Sequence, residues 1–441
     1  MSKSIKNRGK SVTAAGTGIN LALGVLYTWS IFKGSIKESI ERGGENAFNW
    51  EMASLNDPYA VCILVFACTM IVAGKCQDRF GPRITAFIGG ILVGLGFILL
   101  SQTNSYLGWI LGFGILVGGG IAFGYSAATP AALKWFPPNK TGIIAGVVVS
   151  GFGLASVYIA PLATYLLNGW GLSFAMLFFG IAFFLVVGIF SQFLANPPAD
   201  FNPVDFVDRR RSCEVNSERR EQFQEVNATP GEMLRTPEFW GVWVLYFIGA
   251  GAGLMVIGSV AGMAKQSLGA NAFVAVAILA IGNAAGRIAA GGLSDRIGRR
   301  PTLAGMFIFQ AVLMLAAVPV VGSADSSALL LVLVATFIGF NYGANLALFP
   351  SFTKDLWGIR NFGVNYGLVF TAWGLGGFVL SRVSQTIFAE SGSYQGSFVT
   401  AAALLVVGAV VVFFVHDHRH EQKKTLEGAI EPTADPNQVK A

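Results

Sequence analysis

Arg287 stands inside AILAIGNAAGRIAAGGLSDRIGRRP (277–301), a run otherwise fit for a lipid-buried helix. If that helix begins near Ala272, Arg287 is about 15 residues in. At ~1.5 Å per residue this is roughly 22 Å deep, past the bilayer midplane. An unpaired arginine at such depth costs at least about 2.5–3.5 kcal/mol, so it must face a partner or a water-filled cavity. The apolar runs 107–130, 141–167, 172–195, 238–263, 301–322, 327–350 and 397–416 carry no Asp or Glu in their interiors. Glu51 and Asp57 stand at the outer mouth of the run 57–75, and Asp78 and Asp295 at the inner face. Arg287 therefore reads as a cation awaiting an anion from solution. Guanidinium holds a carboxylate with two parallel hydrogen bonds. The alternative is a guanidinium that snorkels inward or bonds to backbone carbonyls.

The remaining polar groups at depth are aromatic or amide. Tyr27, Tyr125 and Tyr342 each place a hydroxyl where it needs a hydrogen bond, which a small anion can supply. Asn283 is one turn before Arg287 on the same helical face, where it can bind substrate or orient the guanidinium. Asn345 is one turn from both Asn341 and Tyr342. Trp373, in NYGLVFTAWGLGG (365–377), can form a small apolar wall. Ordinary packing is the alternative for the tyrosines and for Trp373. The histidines 416, 418 and 420 close the last apolar run and read as a charged helix terminus. Cys62, Cys68, Cys76 and Cys213 form no CxxC pair and read as small apolar fillers.

These residues need an apolar scaffold, and the composition supplies one. Of 441 residues, 54% are hydrophobic and 12% charged, against about 25% charged in soluble proteins. Mean hydropathy is +0.60. A chain so poor in polar groups is an integral membrane protein. Its net charge of +6 reads as basic cytoplasmic loops, not as a nucleic-acid surface. Twelve runs are long enough to span: 12–33, 57–75, 83–101, 107–130, 141–167, 172–195, 238–263, 272–293, 301–322, 327–350, 362–386 and 397–416. Basic residues cluster in alternate loops, for example Lys75, Arg79 and Arg83, or Arg296, Arg299 and Arg300. The positive-inside rule then places both termini in the cytoplasm. The expected division is an N-terminal six-helix half over 1–195, a cytoplasmic central loop over 196–237, a C-terminal six-helix half over 238–416 and a cytoplasmic tail over 417–441. Within the loop, Thr229-Pro230-Gly231-Glu232 reads as a capping box opening a short helix.

GKCQDRFGPR (74–83) and GGLSDRIGRRP (291–301) share Gly-x-x-x-Asp-Arg-x-Gly-x-Arg, and six spans separate them. The two halves are thus parallel repeats. The glycines permit a tight turn between helices. Asp78 and Asp295 can cap a helix or pair with an arginine, and so latch the halves. Arg79, Arg83, Arg296 and Arg299 complete the gating candidates.

The doubled motif, the twelve spans and the central loop resemble the major facilitator superfamily. GVLYTWSIF (24–32), GYSAATPAALKWFPPNKTG (124–142) and TPGEMLRTPEFW (229–240) resemble the oxalate:formate antiporter family and its bacterial monocarboxylate-transporter relatives, such as lactate transporters. The resemblance implies an all-α fold of twelve transmembrane helices in two pseudo-symmetric six-helix halves. It also implies that Arg287 matches the arginine with which relatives bind a substrate carboxylate, and that Tyr125 and Tyr342 line the central cavity. In the oxalate:formate exchangers a lysine stands where this chain has Trp373. One buried cation then remains, and charge balance favours a monoanion.

The reading that follows is a secondary active transporter of small monocarboxylates such as lactate, pyruvate or formate. It works by alternating access in the plasma or inner membrane, as a monomeric unit. No cofactor, metal or nucleic-acid partner is expected, and the coupling ion of the reading is the proton. Anion exchange is the rival mode. A non-transporting carboxylate sensor is the alternative of another class. Enzyme activity is not expected: HExxH, GxSxG, a GxxxxGK[ST] loop and paired intramembrane carboxylates are all missing from the sequence.

Overall fold

The structure, a computed structural model, describes residues 7–44, 47–198, 201, 227–268, 272–322 and 327–415. His416, His418, His420, Cys213, the tail and most of the central loop lie outside these residues.

Lipid offers no hydrogen bonds to backbone, so each apolar run closes its own ladder as a helix. Among the described residues twelve long helices result. They are α1 Gly9–Arg42, α2 Met52–Phe80, α3 Pro82–Ser101 and α4 Tyr106–Leu133. Thr141–Phe193 is two helices, α5 over 141–170 and α6 over 172–193, parted by Gly171 at φ 82°. The second half has α7 Pro237–Leu268, α8 Ala272–Ile297, α9 Arg299–Gly322, α10 Ala328–Trp357, α11 Phe362–Ser391 and α12 Gln395–Val411.

The repeated motif makes the same turn twice. Gly81 at φ 83° parts α2 from α3, and Gly298 at φ 97° parts α8 from α9. Both lie in a region that side-chain-bearing residues avoid, which is why each copy of the motif keeps a glycine there.

Two close helix pairs join the halves, α5 with α8 and α2 with α11. Without a hydrophobic force between helices in lipid, contact depends on small residues. A Cβ on Gly142 would collide with the Gly291 carbonyl, and one on Gly146 with the Arg287 carbonyl. In the matching pair, a Cβ on Gly74 would strike the Gly363 carbonyl, and one on Gly367 the Met70 carbonyl. Gly374 sits against Ala67.

One departure from regular helix serves the centre. In α1 the stretch Gly24–Thr28 tightens to 3-10 geometry, where Gly24 abuts the Phe152 carbonyl of α5. This turn carries Tyr27. The expected capping box is also present. The Thr229 N–H donates to Glu232 Oε2 at 2.7 Å and the Glu232 N–H to Thr229 Oγ1 at 3.3 Å. That bond to the Thr229 backbone holds the Glu232 carboxyl below its ordinary value of 4.5. Just upstream, the Ala228 carbonyl accepts from the amides of Asn361 and Asn365, each at 3.1 Å, which ties the loop to the start of α11.

Candidate functional site

Arg287 is 0% exposed. Its Nε donates to Asn283 Oδ1 at 2.8 Å, the one-turn spacing on α8 that the sequence offered. Gly153 of α5 leaves room for this pair, since a Cβ there would meet both side chains. One terminal nitrogen donates to the Val149 carbonyl of α5. The other reaches the Tyr27 hydroxyl at 3.4 Å. Guanidinium has five N–H donors, so these bonds leave one on each terminal nitrogen. Arg287 therefore does two things in this conformation. It bridges the halves through Val149, and it keeps donors for a further acceptor.

From Tyr27 a chain of polar contacts crosses the centre. The Tyr27 and Tyr342 hydroxyls are 3.2 Å apart, and Trp373 Nε1 donates to the Tyr342 hydroxyl at 2.8 Å. Helices α1, α8, α10 and α11 thus converge on one spot. Tyr27 packs edge-on to Phe152 at 5.3 Å. Tyr125 of α4 is buried beside it, with its ring 5.6 Å from those of Phe152 and of Phe370.

Five of the seven substrate-binding candidates are linked through this network: Arg287, Asn283, Tyr27, Tyr342 and Trp373. Tyr125 joins them through ring contacts only. Asn345 stands apart. Its Nδ2 donates to the Asn341 carbonyl at 3.0 Å, and its amide oxygen lies over Gly249 of α7, beside Phe307 of α9. Sequence reasoning did not find Val149, which contributes only a carbonyl. Nor did it find Phe66 and Phe370, whose rings stand 5.4 Å and 4.9 Å from that of Trp373.

At the end of the bundle where the repeated motifs lie, the two aspartates act alike and across the halves. Asp78 accepts the Gly363 N–H at 3.1 Å and the Val364 N–H at 3.0 Å, capping α11. Asp295 accepts the N–H groups of Gly142 and Ile143, both at 2.8 Å, capping α5. A carboxylate is favoured at a helix N-terminus because the orphan N–H groups and the helix dipole both point at it.

The two aspartate caps differ in their surroundings. Arg299 holds Asp295 at 2.7 Å and Asp355 at 2.8 Å. The matching residue beside Asp78 is Pro82, and the nearby cation is Lys134. Burial pulls the Lys134 ammonium below its usual value, and the Asp78 charge pulls it back. The other motif arginines act elsewhere. Arg83 donates to the Leu194 carbonyl at 2.7 Å, within its own half. Arg300 does the same to Phe413. Arg79 is exposed over the Phe80 ring, and Arg296 is exposed.

Asp78→Asn should free the start of α11, because an amide offers one acceptor oxygen and sets N–H against N–H. Amide hydrogen exchange over 363–366 should speed up about tenfold. Unchanged exchange there would mean that Asp78 holds nothing shut.

Paired six-helix repeats around a buried polar centre are an architecture of membrane transporters. The Major Facilitator Superfamily model matches residues 12–381 and 275–439. The chain belongs to that superfamily, and it is a multi-pass membrane protein. Among relatives, an uncharacterized MFS-type transporter of Escherichia coli K12, YhjX, is 29% identical, covering 85% of this chain and 88% of its own. The oxalate:formate antiporter of Oxalobacter formigenes is 26% identical, covering 92% and 90%. Monocarboxylate transporter 11 of the mouse is 23% identical, covering 91% and 86%. Among solved structures, the Escherichia coli fucose:proton symporter has the same fold with a TM-score of 0.63 at 13% identity, covering 92% of this chain and 98% of that one.

Proposed function

We propose that the protein carries small monocarboxylate anions, of the size of lactate, pyruvate or formate, by alternating access. The observation that supports this best is Arg287: fully buried, oriented by Asn283, and joined to the Tyr27 hydroxyl and through it to that of Tyr342. In this reading the carboxylate takes the remaining guanidinium donors, and Tyr27 and Tyr342 turn their hydroxyls to it. Trp373 and Phe370 face the substrate's alkyl end. Tyr125 lines the floor. The Asp78 and Asp295 latches close the cytoplasmic side and release as the halves rock. Both termini are then cytoplasmic, the membrane is the inner or plasma membrane, and one chain is the working unit.

The proposed coupling is proton symport. Pairing with Arg287 favours the ionised carboxylate, and protonation of the substrate weakens that pairing and eases release. Exchange is the second reading, favoured by the likeness to the oxalate:formate antiporter. Uptake of labelled lactate into empty proteoliposomes separates the two. Symport requires accumulation driven by an inward proton gradient and competed by pyruvate or formate. Uptake only into vesicles preloaded with another carboxylate would replace symport with exchange. No uptake of these three substrates in either format would reject the monocarboxylate reading.

Trp373→Lys adds a second cation at the centre. It should bring oxalate into competition with lactate, with at least about a tenfold gain in oxalate affinity. No gain in oxalate binding would remove charge balance as the basis of selectivity.

A further inference from the structure

The start of α11 is bonded twice over. Asp78 of the other half takes the Gly363 and Val364 N–H groups at 3.1 Å and 3.0 Å. The end of the central loop fastens the turn just before them. The Ala228 N–H donates to the Trp357 carbonyl at 3.1 Å, and the Arg360 N–H to Asn227 Oδ1 at 3.1 Å. The Ala228 carbonyl accepts Nδ2 of Asn361 and Nδ2 of Asn365, each at 3.1 Å.

Asn361 is the N-cap residue of α11, and its carbonyl accepts the first helical bond, from the Asn365 N–H at 3.0 Å. Asparagine is among the best capping residues, and an N-cap side chain accepts from the second or third helical N–H. In α11 those are Gly363 and Val364, the two groups that Asp78 holds. Asn361 makes no such bond. Its amide is turned to Ala228, and its ψ of 25° is far from the extended value of a capping residue. The same two N–H groups thus have two acceptors available, one in each half, and only Asp78 is engaged. Helix α5 offers the contrast. Its N-cap residue is Lys140, whose side chain has no acceptor, so it cannot stand in for Asp295.

We propose that Asn361 is a reserve cap: a positioning residue that takes the Gly363 and Val364 N–H groups when Asp78 leaves them as α2 and α11 part. The inference rests on the alternating-access part of the reading above, not on its substrate. The exchange of partners is cheap. The Ala228 carbonyl keeps its bond from Asn365 when Asn361 turns away, so no acceptor is orphaned. Helix α11 gains a cap of its own in place of the one it loses. Helix α5 has no such reserve, and Arg299 holds its Asp295 at 2.7 Å. Of the two contacts between the halves, α2 with α11 is therefore the one that parts more readily.

The test is hydrogen exchange at the Gly363 and Val364 amides of the full chain in lipid nanodiscs. Wild type, Asn361→Ala, Asp78→Ala and the double variant form a cycle. A reserve cap is idle while Asp78 is present. Asn361→Ala alone should change exchange at these amides by no more than about twofold, but in the Asp78→Ala background it should speed exchange about fivefold. Asn361→Ser in that background should restore slow exchange, because serine caps well yet has no amide to give Ala228. An equal factor in both backgrounds, or a serine variant that exchanges as fast as alanine, would overturn the proposal and leave Asn361 as a tie for the loop. Thermal melting checks each protein, and Asp78→Asn replaces Asp78→Ala where the latter folds poorly. No substrate enters the measurement, so failure of the monocarboxylate reading cannot be mistaken for failure of this one.

Discussion

Arg287→Ala is expected to abolish monocarboxylate binding, lowering affinity by at least about 100-fold. Truncating one partner of a buried charge pair costs about 2–5 kcal/mol, and each 1.4 kcal/mol is roughly tenfold. The guanidinium also carries structure, so the measurement must separate the two roles. Its removal leaves the Val149 carbonyl and the Asn283 amide oxygen without their bonds. An orphaned buried acceptor costs about 1–3 kcal/mol, a lower melting temperature but not an unfolded protein. Arg287→Lys provides the control. It keeps the charge, loses the two-pronged geometry, and should bind lactate more weakly than wild type but better than alanine. Calorimetric titration with lactate on all three proteins decides the matter. If the alanine variant binds with wild-type affinity, Arg287 is a strut between the halves and the anion sits elsewhere.

Gly146→Val should depopulate the conformation described here. The added side chain would strike the Arg287 carbonyl, and backbone on a packed helix cannot swing aside. Overpacking of this kind costs about 1–3 kcal/mol or more, which moves a two-state equilibrium by roughly 5- to 150-fold. Amides over 142–150 and 287–295 should exchange faster, and transport should fall at least about tenfold in step. Gly169→Ala is the control, because a Cβ at Gly169 meets nothing within 4 Å. Wild-type exchange and transport in the Gly146→Val protein would mean that the close α5–α8 contact is not part of the cycle.

Much of the architecture was legible because lipid imposes simple rules. Apolar length gave the helices, and the doubled motif gave the repeat with its two glycine turns. Arg287 was legible by its cost alone. The sequence could not reveal Val149, since a backbone carbonyl leaves no mark on residue type. Asn345 stands apart from the linked residues for a geometric reason. Its spacing from Tyr342 sets their separation along α10, but not which helix each one faces. Tyr342 turns to Tyr27 and Trp373, and Asn345 turns to α7 and α9. The arginines of the motif show the same limit. Arg299 and Arg300 are adjacent, yet one pairs with the capping Asp295 and the other ties α9 to the end of α12. A repeat in sequence does not say whether its contacts run within a half or between halves.

The reciprocal capping has a bearing on ancestry. Asp78 of the first half caps a helix of the second, and Asp295 of the second caps the matching helix of the first. Contacts in which patch i meets patch j, and j meets i, are those of a two-fold symmetric dimer. A single six-helix chain paired with its own copy would have made this same bond twice. Gene fusion would then have joined two subunits already fitted to each other, and freed the copies to diverge. Arg299 on one side and Pro82 on the other are where that divergence is now written.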